Sequence, residues 1–204
     1  MKPDILPYQR VAGTKAGREK NAQRKILTDL FSKNNLVLLL LSFLLGRGNI
    51  IGGLMPFGMA FYASTYGFEV NRILLAVLAI LGMITSGAKE QIYVNAAAML
   101  LFNTFSILLK SDRQKHSFRY AVTAFISLII PGMVVVCLQG FLLFDILRLL
   151  LSSFIAFLLM FIFRKALPII ADTRKRSAIS NEDIISLAIM SALALLGFGD
   201  IKVF

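Results

Sequence analysis

The chain of 204 residues alternates long apolar runs with short polar breaks, and the runs follow one another from Asn35 onward. A helix that spans a bilayer needs about 20 mostly apolar residues. The later runs meet this length, whereas the first three are short or interrupted. The pattern predicts seven segments, near 31–46, 50–66, 73–88, 91–109, 118–138, 141–163 and 184–204. We therefore predict an all-α fold, a polytopic helical membrane bundle with about six to seven transmembrane segments.

Residues 1–33 precede these runs and form a polar arm with eight Lys and Arg residues against three acidic ones. The arm is too long and too charged for the start of a signal peptide, and no small-residue cleavage site follows the first apolar run. We expect a basic cytoplasmic arm, followed by a multi-pass membrane domain at 34–204 that ends within the bundle. Segment 31–46 begins with polar residues, so a re-entrant piece stays an alternative there.

Composition narrows the class of protein. The chain is 57% hydrophobic and 16% charged, with a mean hydropathy of +0.76, which is far too apolar for a soluble domain. The same abundance of Leu, Ile, Val and Phe excludes intrinsic disorder. The net charge of +11 leaves a membrane or a nucleic acid as the partner.

The positions of the charges decide between these partners. Basic residues gather in the arm, at 110–119 and at 164–176, and cytoplasmic loops of membrane proteins collect Lys and Arg. An even number of crossings must therefore separate each pair of stretches. A hairpin that turns at Gln139-Gly140 supplies two crossings in the second half, and we favour four over two in the first half.

With the amino terminus cytoplasmic, this topology places most of the basic residues on one side. The cytoplasmic set is eight in the arm, Arg72, four at 110–119 and five at 164–176, which makes 18 of the 22. Such a split indicates orientation and attraction to anionic lipid headgroups. The arm lacks interleaved aromatic residues and a reading module, so we expect no nucleic-acid partner.

Catalytic motifs are not found in the sequence. Phosphate-binding loops, dinucleotide fingerprints, nucleophile elbows and zinc-protease motifs do not occur. His116 and Cys137 are the single histidine and cysteine, and no acidic, His or Cys residues have metal-ligand spacing. We predict no catalytic, cofactor-binding or metal-binding residue within this sequence.

Polar residues inside the predicted membrane segments are costly and therefore candidates for function: Arg47, Asn95, Asn103, Asp145 and Arg148. Asp145 and Arg148 are three residues apart, so they share a helix face. We favour a structural ion pair between them, and a substrate or ion pathway is the alternative. We expect Asn95 and Asn103 to form hydrogen bonds between helices.

The break Gly46-Arg47-Gly48-Asn49 separates the first two segments. Gly48 and Gly52 have the spacing that permits close helix approach. A hairpin turn is favoured here over a binding site in a broken helix. Four tyrosines, at 62, 66, 93 and 120, fall at predicted segment ends, where their rings are expected in the headgroup region.

Several short motifs carry a resemblance to a known family. They are Phe43-Leu44-Leu45-Gly46-Arg47, Leu54-Met55-Pro56-Phe57, Leu75-Ala76-Val77-Leu78-Ala79, Ser111-Asp112-Arg113 and Asn181-Glu182-Asp183-Ile184-Ile185. In this order the motifs resemble the amino-terminal membrane region of the stage II sporulation protein E family, over roughly residues 36–204. The arm is similar only in being basic.

The resemblance implies a multi-pass membrane protein of spore-forming Firmicutes that acts at the polar division septum. In that family a central region self-associates and contacts the tubulin-like division protein. A metal-dependent PPM-type serine phosphatase follows, for which Mn or Mg is expected. This hydrolase acts on an anti-sigma factor antagonist and so leads to sigma factor activation. Its catalytic residues would lie outside the present sequence, which leaves the chain's own enzymatic status uncertain.

Two functions are thus predicted. The first is a membrane anchor and localisation module for a sporulation phosphatase. The alternative is a small-molecule or ion permease subunit that uses Asp145, Arg148 and the break at Gly46–Asn49.

Overall fold

The structure, a computed structural model, describes residues 33–50, 54–68, 70–86, 89–108, 117–171 and 180–199. These residues form seven α-helices and no β-strand, so the predicted all-α fold is confirmed. The helices are α1 (Lys33–Arg47), α2 (Pro56–Ser64), α3 (Arg72–Ser86), α4 (Lys89–Leu108), α5 (Ser117–Leu138), α6 (Leu143–Ala171) and α7 (Asn181–Gly199). The arm up to residue 32, Gly52, His116 and the end of the basic stretch at 172–176 lie outside the described residues.

Within the described ranges, four helices are long and apolar enough to cross a membrane: Gln91–Leu108 in α4, Ser117–Leu138, Leu143–Ala171 and Asn181–Phe198 in α7. At 1.5 Å per residue, the 29-residue α6 is about 43 Å long, more than the ~30 Å of a hydrocarbon core. Large apolar side chains remain exposed along these helices. This surface suits contact with lipid, and the buried apolar side chains hold the helices together.

Helix α2 is shorter than the predicted segment 50–66, because only Pro56–Ser64 is helical there. Proline fits its first turn, where no helical hydrogen bond is lost. All nine residues are buried, and the helix packs against α1, α3, α4, α5 and α6. Non-helical backbone at membrane depth is tolerated where protein surrounds it. Helix α2 is therefore the inner helix of the bundle.

Glycines allow α1 and α3 to touch backbone to backbone. A Cβ atom on Gly46 would lie 2.2 Å from the carbonyl oxygen of Ala79, and one on Gly82 would lie 2.2 Å from that of Phe43. The hydroxyl of Ser42 donates to the carbonyl of Leu75 at 2.7 Å. Along α1, Ser42, Gly46 and Arg47 meet Leu75, Ala79 and Gly82 of α3 in the same order, so the two helices run parallel.

The predicted close approach through Gly48 and Gly52 takes another form. A Cβ atom on Gly48 would lie 2.8 Å from the ring of Phe57, so Gly48 makes room for a side chain of the neighbouring α2. Gly52 is outside the described residues. Gly46 and Gly82 are the glycines that bring α1 and α3 close together. The spacing of glycines within one segment could not predict this, because a close approach depends on which faces of the two helices meet.

Helices α5 and α6 form the predicted hairpin. Its turn contains Gly140 at φ 98° and Phe141 at φ 60°. Helix α6 then continues past the predicted end at residue 163, so Arg164 and Lys165 are helical. The predicted segment ends where these charged residues interrupt the apolar run. The observed helix continues because Ala166 and Leu167 beyond them are buried against the bundle.

Candidate functional site

Polar side chains concentrate at the two ends of the bundle. We call one the basic end, defined by Tyr66, Arg72, Ser106, Tyr120 and Arg164. We call the other the amide end, defined by Gln91 and Gln139. Helix α4 runs from Gln91 at the amide end to Ser106 at the basic end.

The basic end is organised around Arg72, the first residue of α3. Its guanidinium carbon lies 4.4 Å from the ring centre of Tyr66, 4.8 Å from that of Tyr62 and 5.7 Å from that of Phe102. The negative faces of aromatic rings attract a cation held this close. Arg72 is half-buried, and its Nε and Nη2 atoms are enclosed with no acceptor among the described residues.

Tyr66 connects this arginine to a second one. Its ring centre lies 4.8 Å from that of Tyr120, whose ring faces the guanidinium of Arg164 at 5.3 Å. Arg164 also donates from Nη1 to the carbonyl of Tyr66 at 3.2 Å, and the Tyr66 hydroxyl donates to the carbonyl of Ser106 at 3.2 Å. We call this group the arginine–tyrosine cluster: Tyr62, Tyr66, Arg72, Phe102, Tyr120 and Arg164.

The two predicted asparagines behave differently. Asn103 donates from Nδ2 to the hydroxyl of Tyr62, which confirms a hydrogen bond between α4 and α2. Asn95 donates to the carbonyl of Gln91 at 2.9 Å, one turn earlier in its own helix. The Oδ1 atom of Asn95 is enclosed without a partner in the described structure. The prediction for Asn95 was wrong because its amide bonds back to its own helix.

Asp145 and Arg148 lie at the amide end, but they do not form the predicted ion pair. The salt bridge that the described residues contain joins Lys165 and Glu182. Asp145 and Arg148 instead line a cavity of about 50 Å³ together with Gln91, Gln139 and Ser152. Their spacing places Asp145 and Arg148 on one face of α6, as predicted. Both side chains line the cavity between α4, α5 and α6 and do not pair with each other. Such a volume has room for a few water molecules.

Arg47 is the last residue of α1 and is half-buried at the predicted break. The amide of Gly48 donates to the carbonyl of Leu44 at 2.9 Å, which closes the end of α1. Main-chain atoms of Arg47 pack against α3, since its nitrogen would lie 2.8 Å from a Cβ atom on Gly82. The residue thus belongs to the contact between α1 and α3.

The tyrosines at the helix ends are not all at the lipid surface. Tyr62 is 1% exposed and Tyr120 is 5% exposed, against 75% for Tyr93. Tyr62 and Tyr120 therefore pack into the cluster, and the headgroup depth of the four tyrosines stays a prediction. The sequence pattern places Arg72 and Arg164 in loops and does not indicate that they join this cluster. The four-residue spacing of Tyr62 and Tyr66, shortly before Arg72, is the signal that points to the cluster.

Long apolar helices around a buried inner helix define the class of this protein, an α-helical membrane domain. The chain belongs to the family described as SpoIIE, N-terminal domain, whose model matches residues 5–204. It is 27% identical over 210 residues to stage II sporulation protein E of Bacillus subtilis (strain 168), across 95% of this chain and 25% of that protein. The chain thus spans about a quarter of the relative's length. No solved structure matches it.

Proposed function

We propose that this sporulation-related membrane domain anchors a protein-serine phosphatase and localises it to the polar division septum. The observation that carries the proposal is the family match over residues 5–204, together with the relative named stage II sporulation protein E. By resemblance, the phosphatase uses Mn or Mg and acts on an anti-sigma factor antagonist. Contacts with the tubulin-like division protein and self-association are part of the same proposal.

The proposal includes an orientation, with the basic end facing the cytoplasm. Arg72, Arg164 and Lys165 lie at or near this end, and a basic arm precedes α1. The parallel course of α1 and α3 supports four crossings before α5, since the chain must return between them. Helix α2 supplies that return: Met55 lies near Ser86 at the end of α3, whereas Tyr62 lies near Arg72 at its start.

A chimaera tests localisation. The membrane region of the Bacillus relative is replaced with this chain, and a fluorescent fusion is imaged in sporulating cells. We expect signal concentrated at the polar septum and activity of a forespore sigma-factor reporter. The matched control carries an unrelated multi-pass anchor of similar length. Uniform membrane fluorescence that equals this control would contradict the proposal.

The cavity at the amide end favours a second candidate, a small-molecule or ion permease subunit. Asp145 and Arg148 face the cavity with three other polar side chains, and the enclosed Arg148 Nε atom has no acceptor among the described residues. If this function holds, Asp145→Asn and Arg148→Gln abolish ion flux in proteoliposomes at unchanged insertion. A loss of expression alone would assign both residues a structural role.

A further inference from the structure

The arginine–tyrosine cluster holds two cations and contains no acid. Arg72 and Arg164 flank the packed rings of Tyr66 and Tyr120, and no acidic side chain of the described residues pairs with either arginine. The rings offset part of the charge, but they accept no hydrogen bond in the guanidinium plane. Among the described residues, the cluster therefore has a net positive charge and no acidic counter-ion.

Three enclosed polar atoms in and beside the cluster have no partner within the described structure. They are Nε and Nη2 of Arg72 and the hydroxyl oxygen of Ser106. Ser106 is 3% exposed, and its carbonyl already accepts the hydroxyl of Tyr66. Unpaired buried donors are costly, most of all on a charged group, and they indicate an acceptor such as an ion. An oxyanion is an acceptor that the guanidinium donors of Arg72 can use.

Guanidinium groups favour one kind of oxyanion. Their planar donors match phosphate oxygens in a two-point arrangement, which a single point charge such as lysine cannot reproduce. Both arginines are half-buried, so each has a part that is accessible from outside. A phosphate group can approach the accessible part of each side chain, and contact with the enclosed Nε and Nη2 atoms of Arg72 requires the surrounding side chains to move.

The surroundings of the cluster favour a lipid over a dissolved phosphate. Apolar side chains near these helix ends are largely exposed: Ile73, Ile107, Leu108 and Phe118. Ile73 follows Arg72 at the start of α3, and Ile107 and Leu108 follow Ser106 at the end of α4. Phe118 lies near Tyr120 at the start of α5. Acyl chains can lie on this apolar border while a headgroup reaches the arginines. Basic sites between helix ends on the cytoplasmic side suit acidic headgroups.

We propose that the arginine–tyrosine cluster is a specific binding site for the phosphate group of an anionic phospholipid. Arg72 and Arg164 donate to the phosphate, and the tyrosine rings hold the two guanidiniums apart and in place. The site rests on the proposed membrane location, with the basic end in the headgroup region. It goes beyond the general attraction of the basic arm, because it predicts a stoichiometric lipid at one position.

The test measures lipid binding by the full chain, purified in neutral detergent, through native mass spectrometry. Phosphatidylglycerol, phosphatidylcholine and inorganic phosphate are added separately. We expect one tightly retained phosphatidylglycerol and no comparable retention of phosphatidylcholine. Arg72→Gln and Arg164→Gln should each weaken this binding roughly ten- to a hundredfold, since each removes charge-assisted hydrogen bonds. Arg72→Lys should restore it only in part.

Arg119→Gln is the matched control, because it removes one exposed arginine near the basic end outside the cluster. Equal losses in Arg119→Gln and Arg72→Gln would overturn the site in favour of diffuse attraction. Displacement of the lipid by inorganic phosphate at equal concentration would support the oxyanion site and overturn the lipid as its ligand. Undiminished retention of phosphatidylglycerol by an Arg72→Gln variant that keeps its helical circular dichroism would overturn both the oxyanion site and the lipid as its ligand.

This readout is independent of the septum. A chain that binds phosphatidylglycerol but fails to localise would contradict the proposed function and leave the site standing. An unmodified chain that localises to the septum but retains no phosphatidylglycerol would contradict the site alone.

Discussion

Arg72 lies over the ring of Tyr66 at 4.4 Å and so joins the start of α3 to the turn that follows α2. Because the ring of Tyr66 also contacts Tyr120 and its main-chain carbonyl accepts from Arg164, this one residue links the inner helix to α5 and α6. A charged residue at a helix end is thus built into the packed structure by aromatic rings. This arrangement makes Tyr66 the residue whose loss should affect the basic end most.

We predict that Tyr66→Ala destabilises the domain far more than Tyr66→Phe. The alanine variant loses the ring that Arg72 and Tyr120 contact, at a cost of about 3–5 kcal/mol. The phenylalanine variant loses only the hydrogen bond to Ser106, which contributes about 1 kcal/mol. Thermal unfolding in detergent micelles, followed by circular dichroism, measures the difference. Equal melting temperatures for the two variants would show that the ring contributes nothing.

Glycine substitutions test the contact between α1 and α3. Gly46→Ala places a methyl group 2.2 Å from a backbone carbonyl, so the helices must separate and the yield of folded protein should fall sharply. Gly140→Ala is the control, because nothing lies within 4 Å of its Cβ position and only the strain of φ 98°, about 1 kcal/mol, is expected. Size-exclusion profiles of both variants give the comparison. Similar monodisperse yields would contradict this helix contact.

The two asparagines of α4 should respond in opposite ways to leucine. Asn103→Leu removes the bond to Tyr62 and should cost about 0.6–2 kcal/mol. Asn95→Leu removes an enclosed oxygen that has no partner in the described structure, so it should be neutral or stabilising. Unfolding in a series of denaturing detergent fractions compares them. A larger loss for Asn95→Leu, which also removes the bond from Nδ2 to the carbonyl of Gln91, would contradict this prediction.

Cysteine accessibility tests the proposed orientation. In a Cys137→Ser background, single cysteines at Lys89 and Gln139 should react with an impermeant maleimide added outside whole cells. Cysteines at Ser111 and Thr173 should react only after the membrane is opened, because basic loops stay cytoplasmic. Labelling of the Lys89 position only in opened cells would exclude four crossings in the first half.

Much of the fold could be predicted from sequence because hydropathy is a local property. The apolar runs placed α3, α4 and α5 within a few residues of their observed bounds, and Gln139-Gly140 marked the turn between α5 and α6. The predicted bounds of α2 and α6 differed more from the observed ones. Tertiary packing shortened the first to a buried inner helix and extended the second beyond Arg164.

The polar contacts were harder to predict, since spacing along one helix does not identify the neighbour that a side chain meets. Asp145 and Arg148 share a helix face, yet a cavity receives both. Asn95 and Asn103 lie in the same helix, yet only Asn103 reaches an inner tyrosine in the described structure. Each outcome depends on the rotation of a helix about its axis, which is set by the helices around it.

The sequence by itself determined the class of the protein, an all-helical membrane domain, and the proposed orientation of its basic residues. Both follow from the cost of placing polar groups in hydrocarbon, a cost that each residue carries wherever it packs. Only the tertiary structure decided that α1 and α3 run parallel at Gly46 and Gly82, and that Arg72 and Arg164 meet around Tyr66. These relationships join residues as many as 98 positions apart, and packing of whole helices is what brings such residues together.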